Sequence, residues 1–124
     1  MRRNAARRRL LNEEELTGRL GDLGFVCVDP GELPFDEQVL LFSNARLVVG
    51  VHGAGCANLL FAPSDGVFVE LYAEPKQPFF RDLAQAKGIQ HIPIKGTPVG
   101  EGQNRHSDFT IPLETVLAAL GPLA

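Results

Sequence analysis

A three-layer α/β domain built on a parallel sheet is predicted by three features of this 124-residue sequence. Short apolar runs alternate with stretches of helical period, glycine and proline punctuate the joins, and the length suits one hydrophobic core but not two. Parallel strands require crossover connections, and the stretches between the apolar runs are the right kind to supply helices. The expectation is a single domain over residues 1–124, with no internal repeat and no linker.

Each element has its own signal. Asn12 followed by Glu13, Glu14 and Glu15 has the form of a capping box, with Asn12 as cap, and Leu16, Leu20 and Leu23 then share one helical face. Gly21 or Gly24 ends that helix. FVCVD (25–29) reads as a short strand over about 25–28, closed by Pro30 and Gly31. A second helix is expected from about Phe35 to Asn44, followed by the strand LVVGV (47–51), a short helix over 55–61, and the strand VFVEL (67–71) after the turn residues Pro63 to Gly66. FFRDLAQAK (79–87) is a helix stopped by Gly88, and IQHIPI (89–94) is a strand that Pro93 places near a sheet edge. Residues 95–108 carry glycine and proline without an apolar period and read as a long loop. Leu113, Val116, Leu117 and Leu120, with Pro112 at the first turn, give an amphipathic helix over about 112–120.

Charge is informative in its distribution. Five of the twelve basic residues, Arg2, Arg3, Arg7, Arg8 and Arg9, lie in the first nine positions, leaving seven basic against fifteen acidic in the remainder. Residues 1–9 thus form a basic arm on an otherwise acidic chain. Such an arm is either a solvated tail or a phosphate-binding element, because arginine grips phosphate through forked hydrogen bonds. Nucleic-acid binding would rest on the arm alone, since the rest is acidic and aromatic residues make up only 7%. No apolar run approaches the ~20 residues that span a bilayer. No secretory pattern follows the basic start, so a soluble, cytoplasmic protein is expected, with peripheral attachment at the inner face of the membrane as an alternative. Cys27 and Cys56 lack metal-ligand spacing and read as reduced structural thiols.

The stretch LVVGVHGAGCAN (47–58) asks for a specific explanation. In an open parallel sheet, ligands bind beyond the carboxyl ends of the strands, and here an apolar strand passes directly into glycines around His52. Gly53 and Gly55 permit positive φ and close approach, so successive backbone N–H groups can converge on an anion at the start of the next helix. His52 adds a ring donor, and Asn58 lies one turn on. A tight turn with no ligand would use the same glycines. HGAG also looks like an oxyanion-hole turn, but no G-x-S-x-G nucleophile elbow accompanies it. The three histidines, His52, His91 and His106, lie far apart without zinc spacing, and no metal or other cofactor is expected. His91 reads as a partly buried structural residue, and His106 as a loop residue.

The succession RRRLLNEEEL (7–16), then FDEQVLLFSNARLVVGVHGAGCANLLFAPSDGVFVEL (35–71), resembles glycosyltransferase family 61, the capsular-polysaccharide and O-linked sugar transferases. The linked order of Arg-x-x-x-Asn-Glu, Glu-Gln before an apolar helix, HGAG-x-x-N and a strand ending in Glu carries the resemblance over nearly the whole chain. It implies a Rossmann-like sheet of the kind found in the C-terminal, donor-binding half of an inverting GT-B transferase. Carried over by position, Arg8, with Arg9 as an alternative, would pair with the donor diphosphate, and Arg2 or Arg3 matches an earlier arginine. His52, Gly53, Ala54, Gly55 and Asn58 would line the diphosphate and sugar side of the pocket. Glu70 would accept ribose hydroxyls, or else serve in capping or ion pairing, and Gln38 is read as packing or capping rather than ligand.

The implied ligand is a nucleotide-diphosphate sugar, used in polysaccharide or glycan synthesis. In the family a strand and an acceptor-binding domain precede the matched arginine. The glycan acceptor and the general base are therefore expected on a missing N-terminal domain, and no catalytic base is assigned here. If that strand is interior to the sheet, a partner chain, such as a second copy in a homo-oligomer, would cover the gap. The alternative is a non-catalytic module for oligomerisation or partner binding that keeps the fold and has lost transfer.

Overall fold

The computed structural model describes residues 10–29, 32–51, 54–73, 79–99 and 108–121. The described elements are α1 (Glu13–Asp22), α2 (Phe35–Ser43), β1 (Leu47–Val51), a 3₁₀ helix (Ala54–Phe61), β2 (Val67–Tyr72), α3 (Phe79–Lys87), β3 (Gln90–Lys95), β4 (Thr97–Val99), β5 (Asp108–Thr110) and α4 (Leu113–Leu120). Three strands pair in parallel in the order β1-β2-β3, with Leu47 opposite Val67 and Val67 opposite Gln90. Each parallel step is made through a helical connection, the 3₁₀ helix and then α3.

Strand alternation divides the sheet between two cores. On one face Val49, Val51, Val69, Leu71 and Ile94 pack with Leu16 and Leu20 of α1 and Val116 and Leu120 of α4. On the other, Val48 and Phe68 pack with Phe42 of α2, Leu59 of the 3₁₀ helix, and Phe80 and Ala84 of α3. β2 is central and serves both sides: Phe68 and Val69, consecutive residues pointing oppositely, are both fully buried. The expected arrangement, helices on both faces of a parallel sheet, is what these residues form.

Helix ends are set where glycine was expected to set them. α1 closes with Phe25 N–H on Leu20 O (3.0 Å) and Gly24 N–H on Gly21 O (3.0 Å), while Gly24 has φ +93°. α3 repeats this geometry, with Ile89 N–H on Ala84 O (2.8 Å), Gly88 N–H on Gln85 O (3.2 Å) and Gly88 at φ +75°. Both are Schellman closures, which need a residue tolerant of the left-handed region and an apolar residue just after it. Phe25 and Ile89 fill that second role, each packing into its own core.

Three expectations need correction. Asn12 makes no side-chain cap on α1. Its amide is instead spent on a distant backbone: Nδ2 donates to Ile111 O at 2.8 Å and Oδ1 accepts from Ile111 N–H at 3.0 Å. The first turn of α1 is still favoured by Glu13, Glu14 and Glu15 beside its positive dipole end.

Residues 25–28 form no strand. Their first N–H is consumed by the α1 closure, the Cys27 thiol lies 3.9 Å from Thr17 O, and Val26 is 73% exposed. A cleft of about 430 Å³ lined by residues of 23–28, α2 and β1 takes the place of strand pairing. The segment has the right pattern, but it lies across this cleft from β1, at the edge of the described sheet, and does not pair with it.

The 95–108 stretch is not loop throughout. Lys95 completes β3, and Thr97–Val99 pairs antiparallel with Asp108–Thr110, with Pro98 opposite Phe109. β3 is an edge strand of the described sheet, as Pro93 required.

Candidate functional site

The carboxyl ends of β1, β2 and β3 face one end of the domain, and three pieces of chain gather there. The first is the segment after β1. Val51 is the last strand residue, and the 3₁₀ helix begins at Ala54. The first N–H groups of a helix lack partners within it, so this junction is one where backbone donors are available to an anion. A 3₁₀ run of eight residues is unusually long, which marks local demands beyond helix propensity. Gly55 lies inside this helix, where φ is negative. Positive φ is therefore not its role; what remains is the absence of a β-carbon. His52 and Gly53 lie outside the described residues, and Ala54 and Gly55 are placed by backbone only.

The second piece is Glu70. It lies in β2 opposite Gly50 of β1 and Pro93 of β3, two neighbours with no polar side chain. Alternation puts it on the same sheet face as Phe68, and its exposure is only 7%. A carboxylate in such a place requires hydrogen-bonding partners. His91, on β3, supplies one: Nε2 lies 2.7 Å from Glu70 Oε1, and the two side chains are 11% and 9% exposed. Because His91 is in register with Phe68 rather than with Glu70, the bond runs diagonally from Glu70 back toward the amino end of β3. His91, expected to be a partly buried structural residue, is thus a partner of Glu70. The sequence hides this pair because it depends on strand register.

The third piece holds Leu10, the first described residue. Gly96 N–H bonds Tyr72 O at 2.6 Å, which holds the start of β4 against the end of β2. Leu10 bridges Phe109 of β5, and Leu11 N–H donates to Phe109 O at 2.8 Å. Leu10 is thereby fixed beside the carboxyl ends of β2 and β3. Arg2, Arg8 and Arg9 themselves lie outside the described residues.

Asn58 makes a side-chain bond to α2. Its Nδ2 donates to Gln38 Oε1 at 2.9 Å, and Gln38 Nε2 donates to Leu33 O at 2.9 Å. Gln38, read as a packing or capping residue, makes no cap on α2 and instead ties α2 to the 3₁₀ helix through Asn58. Lys87 adds a second brace, with Nζ 2.6 Å from Leu60 O near the end of the same helix. Among the described residues no three His, Cys, Asp or Glu side chains converge as a metal-binding group.

Known proteins bear on this arrangement directly. The family model described as glycosyltransferase 61 matches residues 1–69, more than half of the chain. That span includes the basic arm, Asn12, the glycine-rich turn and Asn58. Among curated proteins, the EGF domain-specific O-linked N-acetylglucosamine transferase of Mus musculus is 31% identical over 121 residues, covering 87% of this chain and 23% of its own length. The proteins of the same name from Gallus gallus and Drosophila melanogaster are 36% and 34% identical, each covering 68% of this chain and 17% of their own lengths. The chain thus spans about a fifth of the length of the curated relatives it matches. With a family-model match over more than half its residues, and relatives above 30% identity along two thirds or more of it, the chain belongs to the glycosyltransferase 61 family.

Proposed function

We propose that this chain is the donor-binding portion of an inverting glycosyltransferase with a GT-B-like C-terminal half, and that its ligand is a nucleotide-diphosphate sugar. The observation that carries the reading is the register between Gly50 and Glu70, which sets a buried carboxylate beside the strand that leads into the glycine turn. In the proposed complex the diphosphate lies at the start of the 3₁₀ helix, held by backbone N–H groups, His52 and Arg8 or Arg9, with Arg2 further out. Ala54, Gly55 and Asn58 form the wall beneath it. Glu70 accepts hydrogen bonds from the ribose hydroxyls.

The names of the similar proteins favour N-acetylglucosamine as the sugar and a protein-linked glycan as the product, over capsular polysaccharide. N-acetylglucosamine is activated in cells as its UDP derivative, which makes UDP-N-acetylglucosamine the first donor to test. Transfer itself is proposed for a molecule that also holds an acceptor site and a general base, since the hydroxyl, its base and the anomeric carbon must be held in line. No helix among the described residues is long and apolar enough to cross a membrane. The cytoplasmic reading belongs with the polysaccharide alternative and is proposed only alongside it.

Calorimetric titration of the 124-residue chain with UDP-N-acetylglucosamine, GDP-mannose and CDP-activated sugars tests the reading. Saturable binding of one nucleotide class, with the UDP sugar preferred, is expected. A chain that binds none of them is the non-catalytic partner-binding module instead.

A further inference from the structure

The Glu70–His91 pair calls for an explanation that packing does not provide. Replacing a buried ion pair by apolar residues is often neutral or stabilising, so such a pair is weak evidence for a stabilising role. Glu70 occupies the central strand, between a glycine and a proline, toward the sheet end nearest the glycine turn, while His91 lies on β3 two register positions nearer the amino end. We infer that His91 is a positioning residue, whose Nε2–H sets the plane of the Glu70 carboxylate so that it accepts both hydroxyls of the donor's ribose. This rests on the ribose-binding reading of Glu70 given above.

Three observations carry the inference. The terminal torsion of a glutamate is broad, so a carboxylate that must meet two hydroxyls at once needs a partner to fix its rotation. The 2.7 Å contact is of charge-assisted length and lies almost out of solvent, where such bonds are strongest. The imidazole is itself held, since the ring of Phe68, fully buried, sits against it at a centroid distance of 5.8 Å and 42°. A rigid phenylalanine thus supports the histidine, and the histidine aligns the carboxylate. Indirect support of this type is what keeps a binding group within the tolerance its ligand demands.

The test compares UDP with 2′-deoxy-UDP and 3′-deoxy-UDP on the full chain by calorimetry. A hydrogen bond to a charged group is worth about 1.5–3 kcal/mol, so the unaltered chain is expected to prefer UDP by about tenfold or more. His91→Leu should reduce that preference to under about threefold by weakening UDP alone, whereas a purely structural defect would weaken all three ligands equally. His91→Gln, which returns an N–H donor, should restore most of the preference. Glu70→Gln separates the two readings. If Glu70→Gln abolishes the preference but a folded His91→Leu retains it, the inference about His91 is overturned and the ribose reading of Glu70 survives. No preference in the unaltered chain overturns both. Should His91→Leu not fold, the imidazole resonances of the unaltered chain decide: they should shift with UDP and not with the deoxy analogues, and equal behaviour with all three overturns the inference.

Discussion

Replacing Gly55 by valine is expected to abolish nucleotide-sugar binding while leaving the fold intact. Gly55 is the second residue of the 3₁₀ helix, among the first N–H groups that have no partner within it. A diphosphate reaches those donors only if nothing projects between it and the backbone, and valine places two branching methyl groups there. Charge-assisted bonds from backbone N–H to phosphate are worth about 1.5–3 kcal/mol each, so losing two weakens binding by more than about 100-fold. Both cores should survive, because that helix enters its core through Leu59, with Phe61 packed alongside, well downstream of the change. Gly55→Ala, with one carbon added, should cost far less. Calorimetry of the two variants beside circular dichroism checks this, and unchanged affinity in Gly55→Val removes the cradle from the account.

The second large effect falls on stability. Asn12→Ala is expected to destabilise the domain by about 2–3 kcal/mol, because both backbone groups of Ile111 lose their partner at once. Loss of a helix cap would cost about 1 kcal/mol, so the magnitude distinguishes the clamp from the cap. For a domain of this size the shift in Tm is roughly 10 °C. Asn12→Asp keeps the acceptor and loses the donor, so it should fall between the two, whereas a capping role would make aspartate as good as asparagine. Thermal denaturation of the three proteins is the measurement. The clamp also braces residues 10–12 against residues 109–111.

Much of this was legible in the sequence for local reasons. Gly24 and Gly88 announced the ends of α1 and α3 because a left-handed residue is a local requirement, and both adopt positive φ. β1 and β2 were legible because apolar runs with two buried faces have few other uses, while β3, with only Ile94 buried, has the pattern of an edge strand. What escaped depends on distant partners. FVCV has the composition of a strand, but a cleft separates it from β1, at the edge of the described sheet, and the two do not pair. β4 was unreadable because its pairing with β5 spans residues that carry no alternation of their own. Asn12 has the sequence context of a cap and is used as a clamp, a choice decided by a residue 99 positions away. The candidate site divides in the same manner. Glu70 and the glycine turn could be named from the sequence, whereas His91 as the partner of Glu70, and Gln38 as the partner of Asn58, emerge only once β2 lies beside β3 and α2 beside the 3₁₀ helix.

The central claim is that a nucleotide sugar binds at the carboxyl ends of β1 and β2, on the side of the sheet that holds Glu70. Amide chemical shifts of the isotope-labelled chain, followed through a titration with UDP-N-acetylglucosamine, test it most directly. The account predicts saturable shifts at Gly50, Val51, residues 54–58 and Glu70 through Tyr72, with the outer surfaces of α1 and α4 unmoved. Shifts confined to α1 and α4, or a spectrum unchanged at saturating ligand, would contradict it.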